Sequence, residues 1–346
     1  MTERADKTVQ QADREATSGG VMTALQRERR MGGVGNEYAL REIPVIDMSN
    51  PDQAALDNAL WQAAVDCGFF QLANHGFSLA EMDEAFAMAR AFFALPEAVK
   101  ARYPLKGASN AGWESMAQVR PSTGTADQKE SYQITRTRMQ GLWPSAQELP
   151  GFVDAMLGYE YKAWALAMRV LQSFARKLGF ADDFFTHAHD YRAPGYQSTL
   201  RLLHYFPVTD TGPADAELWR ASAHTDFDCL TLLFQRDGQG GLQVCPGHEA
   251  DTGDWTPVTP KAELITCNIG DMLMRWSDDE LRSTLHRVRM PDAGDSRYSI
   301  AFFAQANSEQ LIQSPRGKYP AITAADYLQQ RIAANFEALQ TVRGES

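Results

Sequence analysis

Two imidazoles and a carboxylate carry the first chemical signal in this chain. His224 and Asp226 stand two residues apart in Ala223-His224-Thr225-Asp226, and His286 follows in Ser283-Thr284-Leu285-His286-Arg287-Val288. On an extended strand, side chains at i and i+2 share a face. One strand end can therefore offer an imidazole and a carboxylate to a single metal. With His286 as the third ligand, three positions on the metal stay open, which suits non-haem Fe(II) and its reaction with O2. Zinc also accepts His and Asp, but structural zinc sites close with four protein ligands and usually include Cys. Arg297 and Ser299 repeat the i, i+2 spacing in Arg297-Tyr298-Ser299-Ile300-Ala301-Phe302-Phe303. A guanidinium grips a carboxylate with two parallel hydrogen bonds, and the hydroxyl beside it adds a donor or acceptor.

The segments around these residues read as short strands. Leu230 to Gln235, the turn Arg236 to Gly241 and Leu242 to Val244 form a predicted hairpin. Trp255 to Val258 and Leu264 to Ile269 are further strands, with Gly270-Asp271 as a turn and polar turn residues from Pro291 to Ser296. Many short strands between regular turns indicate a sandwich or barrel. Thr199 to Phe206 is another strand, on which Arg201, Leu203 and Tyr205 share one face and Leu202, His204 and Phe206 the other. If Arg297 faces a pocket, Ser299, Ala301, Phe303 and Gln305 share its parity.

Earlier in the chain, Glu42 to Met48, Phe69 to Ala73 and Ser131 to Thr135 read as strands. Ser78-x-x-Glu81 is a capping box that opens a helix. Residues 105–128 read as a loop in which Asn110, Trp113 and Met116 are candidate substrate contacts. Phe152 to Leu178 reads as a long helix with Leu157, Tyr161, Trp164, Met168, Leu171, Phe174 and Leu178 as its core stripe. His187 and His189 are expected at the surface, and His75 in a loop. A last helix is expected from Thr323, capped by Thr323-x-x-Asp326.

The order of these motifs is similar to that of the 2-oxoglutarate/Fe(II)-dependent dioxygenases of the isopenicillin N synthase-like branch. The resemblance covers roughly residues 42–338. It rests on His-Thr-Asp at 224–226, Arg282 to Val288, Arg297 to Ile300, Ile43 to Asp47, Gly68 to Gly76, Gly240 to Val244 and Asn268 to Leu273. Lys129 to Tyr132, Leu200 to Tyr205 and the ending around Tyr327, Leu328 and Arg331 look most like the fungal thymine 7-hydroxylase type. The resemblance implies a mainly β fold with flanking helices around a double-stranded β-helix, the jelly-roll or cupin-like core. It implies Fe(II) on His224, Asp226 and His286, with 2-oxoglutarate and O2 as co-substrates. Arg297, Ser299 and Tyr205 would hold the far carboxylate of 2-oxoglutarate. Arg201, Phe303 and Phe227 would contact a small substrate, which is hydroxylated while succinate and CO2 are released. An iron-dependent oxidase, desaturase or oxidative cyclase that does without 2-oxoglutarate remains an alternative reading, and a non-catalytic binding protein a remote one. Phe227 stands where the thymine type has Tyr, which counts against thymine itself.

Composition bounds the rest. The 346 residues carry a formal charge of -11, which argues against nucleic acid or an anionic membrane as partner. No apolar run approaches the ~20 residues of a membrane helix, and no signal core is evident at the N-terminus. Cys67, Cys229, Cys245 and Cys267 show no paired spacing and read as reduced thiols of a cytoplasmic protein, monomeric or homodimeric. The expected organisation is a polar tail over 1–40, an α/β region over 41–195, the core over 196–310 and a helical segment over 311–346.

Overall fold

The computed structural model describes residues 36–37, 41–119, 126–207, 219–245, 253–289 and 296–344. The expected tail, apart from residues 36–37, and the expected turn over 291–295 lie outside the described residues. The first part of the chain supplies strands β1 (Asn36–Glu37), β2 (Val45–Asp47), β3 (Phe69–Ala73), β4 (Gly112–Ser115) and β5 (Lys129–Ile134). The second part supplies β6 (Thr199–Tyr205), β7 (Trp219–His224), β8 (Leu230–Phe234), β9 (Leu242–Cys245) and β10 (Asp254–Pro257). It continues with β11 (Ile265–Ile269), β12 (Leu285–Arg289), β13 (Arg297–Ala304), β14 (Leu311–Ile312) and β15 (Ile322–Thr323).

Two sheets organise the molecule. The larger runs β2-β3-β11-β8-β13-β6-β5-β4 and the smaller β1-β10-β9-β12-β7. Leu203, Tyr205 and Ala301 from the larger sheet pack with Ala221, Val244 and Val288 from the smaller, so one face of each sheet looks into a shared interior. The opposite face of the larger sheet carries Leu200, Leu202, Leu232, Ile300 and Phe302, all buried under helices. Those helices are Gln53–Asp66, Leu79–Phe93 and Phe152–Leu178. Each fully buried Leu or Phe there contributes about 2 kcal/mol from apolar burial. Because helices claim at least as much of the described chain as strands, the fold is mixed α/β, not the mainly β fold with flanking helices that the resemblance implies.

The strand alternation expected on either side of the interior is observed. Arg297 pairs Tyr205, Ser299 pairs Leu203 and Ala301 pairs Arg201. The row continues outward, Leu203 pairing Ser131 and Ser131 pairing Glu114. The stretch read as a loop over 105–128 therefore contains a strand, β4, hidden by its glycines and by polar residues that face the interior.

Helix Phe152–Leu178 buries Met168, Leu171 and Phe174 of its expected stripe, half-buries Leu157, Trp164 and Leu178, and leaves Tyr161 out. Its buried positions include Phe152, Met156, Tyr159, Ala163, Ala167, Val170 and Phe174, while Tyr161 stands 52 % exposed. The smaller alanine-bearing stripe faces inward because the helix touches both the sheet and the helix Gln53–Asp66, and small residues allow that close approach. The Ser78 capping box forms as expected, with both reciprocal hydrogen bonds. Thr323 Oγ1 accepts the Asp326 amide at 3.1 Å, as its cap motif predicts. His187 is exposed, but His189 is fully buried, its Nδ1–H donating to Phe185 O at 2.8 Å. A local helical turn absorbs that ring, which no sequence pattern announces.

The same long helix buries Glu160 completely, with the Tyr196 hydroxyl donating to its carboxylate. Burial pushes this carboxyl up to about 7, partly offset by hydrogen bonds from Tyr196 and Tyr191. A carboxyl raised on folding binds its proton more tightly in the native state, so stability falls as pH rises from about 4.5 to about 7. Glu160→Gln is expected to stabilise the protein near neutral and alkaline pH by about 3 kcal/mol and to change little below about pH 4.5. Thermal melts of both proteins across this window check it; an equal difference at all pH values would contradict the assignment.

Candidate iron and 2-oxoglutarate site

Strand β7 ends at His224, so Asp226 lies in the turn that follows and not on the strand itself. The i, i+2 convergence survives because the turn folds back toward β12, where His286 pairs directly with His224. His224 Nε2 lies 3.9 Å from Asp226 Oδ1 and His286 Nε2 lies 3.8 Å from the same oxygen. All three ligand atoms fall within 4.8 Å of one another. The donor set fits a metal in detail. His224 Nδ1 lies 2.7 Å from Ser222 O and His286 Nδ1 3.2 Å from Thr284 O. A carbonyl only accepts, so each Nδ1 carries the proton and each Nε2 offers its lone pair to the metal.

Asp226 is held from behind. Its Oδ2 accepts hydrogen bonds from Thr231 Oγ1 at 2.7 Å and Asn268 Nδ2 at 2.9 Å, which leaves Oδ1 turned to the imidazoles. Thr231 Oγ1 also lies 3.0 Å from Asp228 Oδ2. Complete burial, and then the charge of Asp226, drive the Asp228 carboxyl far above the usual carboxylate range. His286 is braced by the turn before β3. Thr284 Oγ1 donates to Cys67 O at 2.8 Å, and Gly68, at φ +73°, lies so close to Arg282 O and Thr284 Oγ1 that a Cβ would collide with both. Phe69 adds an edge-to-face contact with the His286 ring, centroids 5.4 Å apart.

Across the same interior, Arg297 is 2 % exposed and Ser299 fully buried. Arg297 Nη1 lies 3.4 Å from Ser299 Oγ, its Nε–H donates to Gln239 O at 3.0 Å, and its guanidinium lies over the Tyr205 ring at 4.6 Å. Sequence reasoning missed a second cation here. Arg220, buried on β7, has its pKa lowered by burial and then by the charge of Arg297, with Tyr205 acting in the opposite sense. No apolar run marks 219–224 as a strand, so nothing in the sequence ties Arg220 to His224.

Arg201 is half-buried, donating to Gln133 Oε1 at 3.0 Å, and its guanidinium lies 4.9 Å over the Phe303 ring. Gln133 donates in turn to Glu114 Oε1 at 3.0 Å, which makes a polar chain along the inner face that the loop reading of 105–128 concealed. Phe227 does not meet Phe303; its ring lies 4.7 Å under the Arg331 guanidinium. His75 is structural, its Nε2–H donating to Glu263 O at 3.1 Å. His204 faces away from the interior, stacked on Tyr298 at 4.6 Å and bonded through Nδ1 to Glu130 at 2.8 Å.

Two family patterns match the chain. Residues 43–148 match the non-haem dioxygenase in morphine synthesis N-terminal family, and residues 196–306 match the 2OG-Fe(II) oxygenase superfamily. A UPF0676 protein of Schizosaccharomyces pombe is 33% identical over 306 residues, covering 84% of this chain and 92% of the relative. The chain belongs to the 2-oxoglutarate/Fe(II) oxygenase superfamily. The oxygenase is also 30% identical over 297 residues to the proline hydroxylase buaE of Petromyces alliaceus, covering 81% of this chain and 91% of that one. Among solved structures, the fungal thymine 7-hydroxylase of Neurospora crassa superposes with a TM-score of 0.74 at 29% identity. That match covers 88% of the oxygenase and 99% of the fungal enzyme, which was crystallised with alpha-KG and thymine. A 2OG-Fe(II) oxygenase family protein from Caulobacter crescentus gives a TM-score of 0.72 at 30% identity, covering 84% and 98% of the two chains. The oxygenase thus has the facial His224–Asp226–His286 triad of an Fe(II)/2-oxoglutarate enzyme, and its two sheets resemble the double-stranded β-helix core of its relatives. No helix among its described residues is long and apolar enough to cross a membrane.

Proposed function

We propose that this oxygenase hydroxylates an unactivated C–H bond of a small molecule, with 2-oxoglutarate converted to succinate and CO2. The observation that carries the reading is the convergence of the triad, from β7, the turn after it and β12, with Arg297, Ser299 and Tyr205, from β13 and β6, on one interior. Fe(II), when bound, supplies O2 activation; the chain supplies ligation, orientation and a largely dry pocket. Arg297, with Ser299 and Tyr205 beside it, is suited to grip the far carboxylate of 2-oxoglutarate, and Arg220 adds positive charge for that dianion. This pairing favours 2-oxoglutarate use over an oxidase that dispenses with it. The two facing sheets support a closed jelly-roll core, and the family match over 196–306 supports 196–310 as the catalytic unit, with 41–195 wrapping it and 311–346 packed beside it. Four buried cysteines without paired spacing support a reducing, cytoplasmic setting, and we read the enzyme as a monomer or homodimer.

We assign Arg201, Phe303 and Phe227 to the substrate end. Arg201, oriented by Gln133 and Glu114, suits a carbonyl or carboxylate acceptor on a substrate that lies flat against Phe303. The test is a screen of small acids, cyclic amides and aromatics for stimulated succinate release, repeated on Arg201→Ala with the best compound. Loss of stimulation with Fe(II) and 2-oxoglutarate binding intact is expected. Equal loss of iron binding and stimulation would contradict the assignment.

A further inference from the structure

Arg331 comes from the C-terminal helix Ala324–Gly344, yet it reaches the iron-binding turn. Its Nη2 lies 2.6 Å from Asp271 Oδ2, both side chains almost wholly buried. The same Asp271 oxygen accepts the Thr225 hydroxyl at 3.1 Å, and the Asp271 amide donates to Asp226 O at 2.8 Å. On its other side the Arg331 guanidinium lies 4.7 Å over the Phe227 ring. Thr225 and Phe227 are thus fastened to one ion pair, and the iron ligand Asp226 between them is held by the backbone amide of its acid.

A buried ion pair is a poor source of stability, because desolvation offsets most of its attraction; its best-attested use is to fix register. Here it fixes a turn that has no strand partner of its own, since β7 stops at His224. The helix that presents Arg331 is itself anchored, with Tyr327 and Leu328 buried and the Arg275 guanidinium 5.7 Å over the Tyr327 ring.

We propose that Arg331 is a positioning residue for the oxygenase: docking of the C-terminal helix through Arg331 and Asp271 sets the Asp226 ligand and the Phe227 face together. The proposal rests on the reading of His224, Asp226 and His286 as the iron site. A disturbance of the C-terminal helix would then act on iron and on the substrate face at once, although Arg331 touches no metal.

The test compares Arg331→Met and Arg331→Lys with the unaltered protein. Three quantities are read: amide hydrogen exchange over 224–231 in the metal-free protein, anaerobic Fe(II) affinity, and the visible charge-transfer band with saturating 2-oxoglutarate. For Arg331→Met, about tenfold weaker Fe(II) binding is expected, at the lower end of losses seen for outer-shell partners of metal ligands. Faster exchange over 224–231 and an altered band at saturation should accompany it, with exchange in Phe152–Leu178 unchanged. Arg331→Lys, which keeps the charge toward Asp271, should recover most of the affinity. If Arg331→Met only lowers the melting temperature, leaving exchange, affinity and band unchanged, the residue merely braces the fold and the proposal falls. Should Arg331→Met fail to fold, Asp271→Asn is read by the same three measurements, and wild-type values there overturn it. Absence of a band in the unaltered protein would count against 2-oxoglutarate use, while the exchange and Fe(II) affinity comparisons would still decide the role of Arg331.

Discussion

Asp226→Asn is expected to abolish turnover while leaving a folded, metal-free protein that melts no lower than the unaltered one. The carboxylate is the only charged ligand of the triad, and an amide in its place offers a weaker, neutral oxygen. Loss of outer-shell partners already costs roughly 10–100-fold in metal affinity, so loss of this ligand should cost at least about 100-fold. The stability side follows from the surroundings. Asp226 sits beside Asp228, whose carboxyl is driven up first by burial and then by the charge of Asp226 and of Asp271. Without a metal, Asn keeps an oxygen to accept from Thr231 and Asn268 and takes a buried carboxylate charge out of the interior, the usual exchange of stability for function at an active site. Fe(II) titration and melting of the two metal-free proteins check both halves. Fe(II) affinity close to the unaltered value would overturn the assignment of Asp226 as a ligand.

Arg297→Ala should raise the KM for 2-oxoglutarate about 100-fold, a loss of about 3 kcal/mol, with a much smaller change in kcat at saturation. Truncating one partner of a buried, charge-assisted pair typically costs ~2–5 kcal/mol. The expected loss lies toward the lower part of that range because Arg220 is close enough to Arg297 for the two charges to interact. Tyr205→Phe removes a single hydroxyl and should cost about 1 kcal/mol, roughly fivefold. Steady-state kinetics over 2-oxoglutarate concentration distinguish the roles. A fall in kcat at unchanged KM would place Arg297 at the chemistry instead of at the co-substrate anchor.

The ligands and the Arg297–Ser299 pair were legible because their signals are local: a fixed spacing of two on or beside a strand, among short apolar runs. The inward rows from Tyr205 and Arg201 were legible for the same reason. What escaped depends on partners far away in the chain. Arg331 reaches Thr225 across 106 positions, and neither residue marks the other. Strand β4 was hidden because Glu114, with Ser131 and Gln133 opposite and diagonal to it, makes the interior-facing row polar, so hydrophobic alternation fails where the pocket needs polar groups. In the helix Phe152–Leu178 the expected stripe holds at Met168, Leu171 and Phe174, while tertiary contact also buries Ala163, Ala167 and Val170, which the stripe did not include. His189 shows the same limit: a polar residue is buried once a backbone carbonyl satisfies it.

Anaerobic addition of 2-oxoglutarate to the Fe(II)-loaded protein tests the central claim most directly. A visible charge-transfer band is expected, saturating with 2-oxoglutarate in the unaltered protein, needing about 100-fold more in Arg297→Ala and absent in Asp226→Asn. Iron binding without a band, or saturation of Arg297→Ala at the unaltered concentration, would contradict the account.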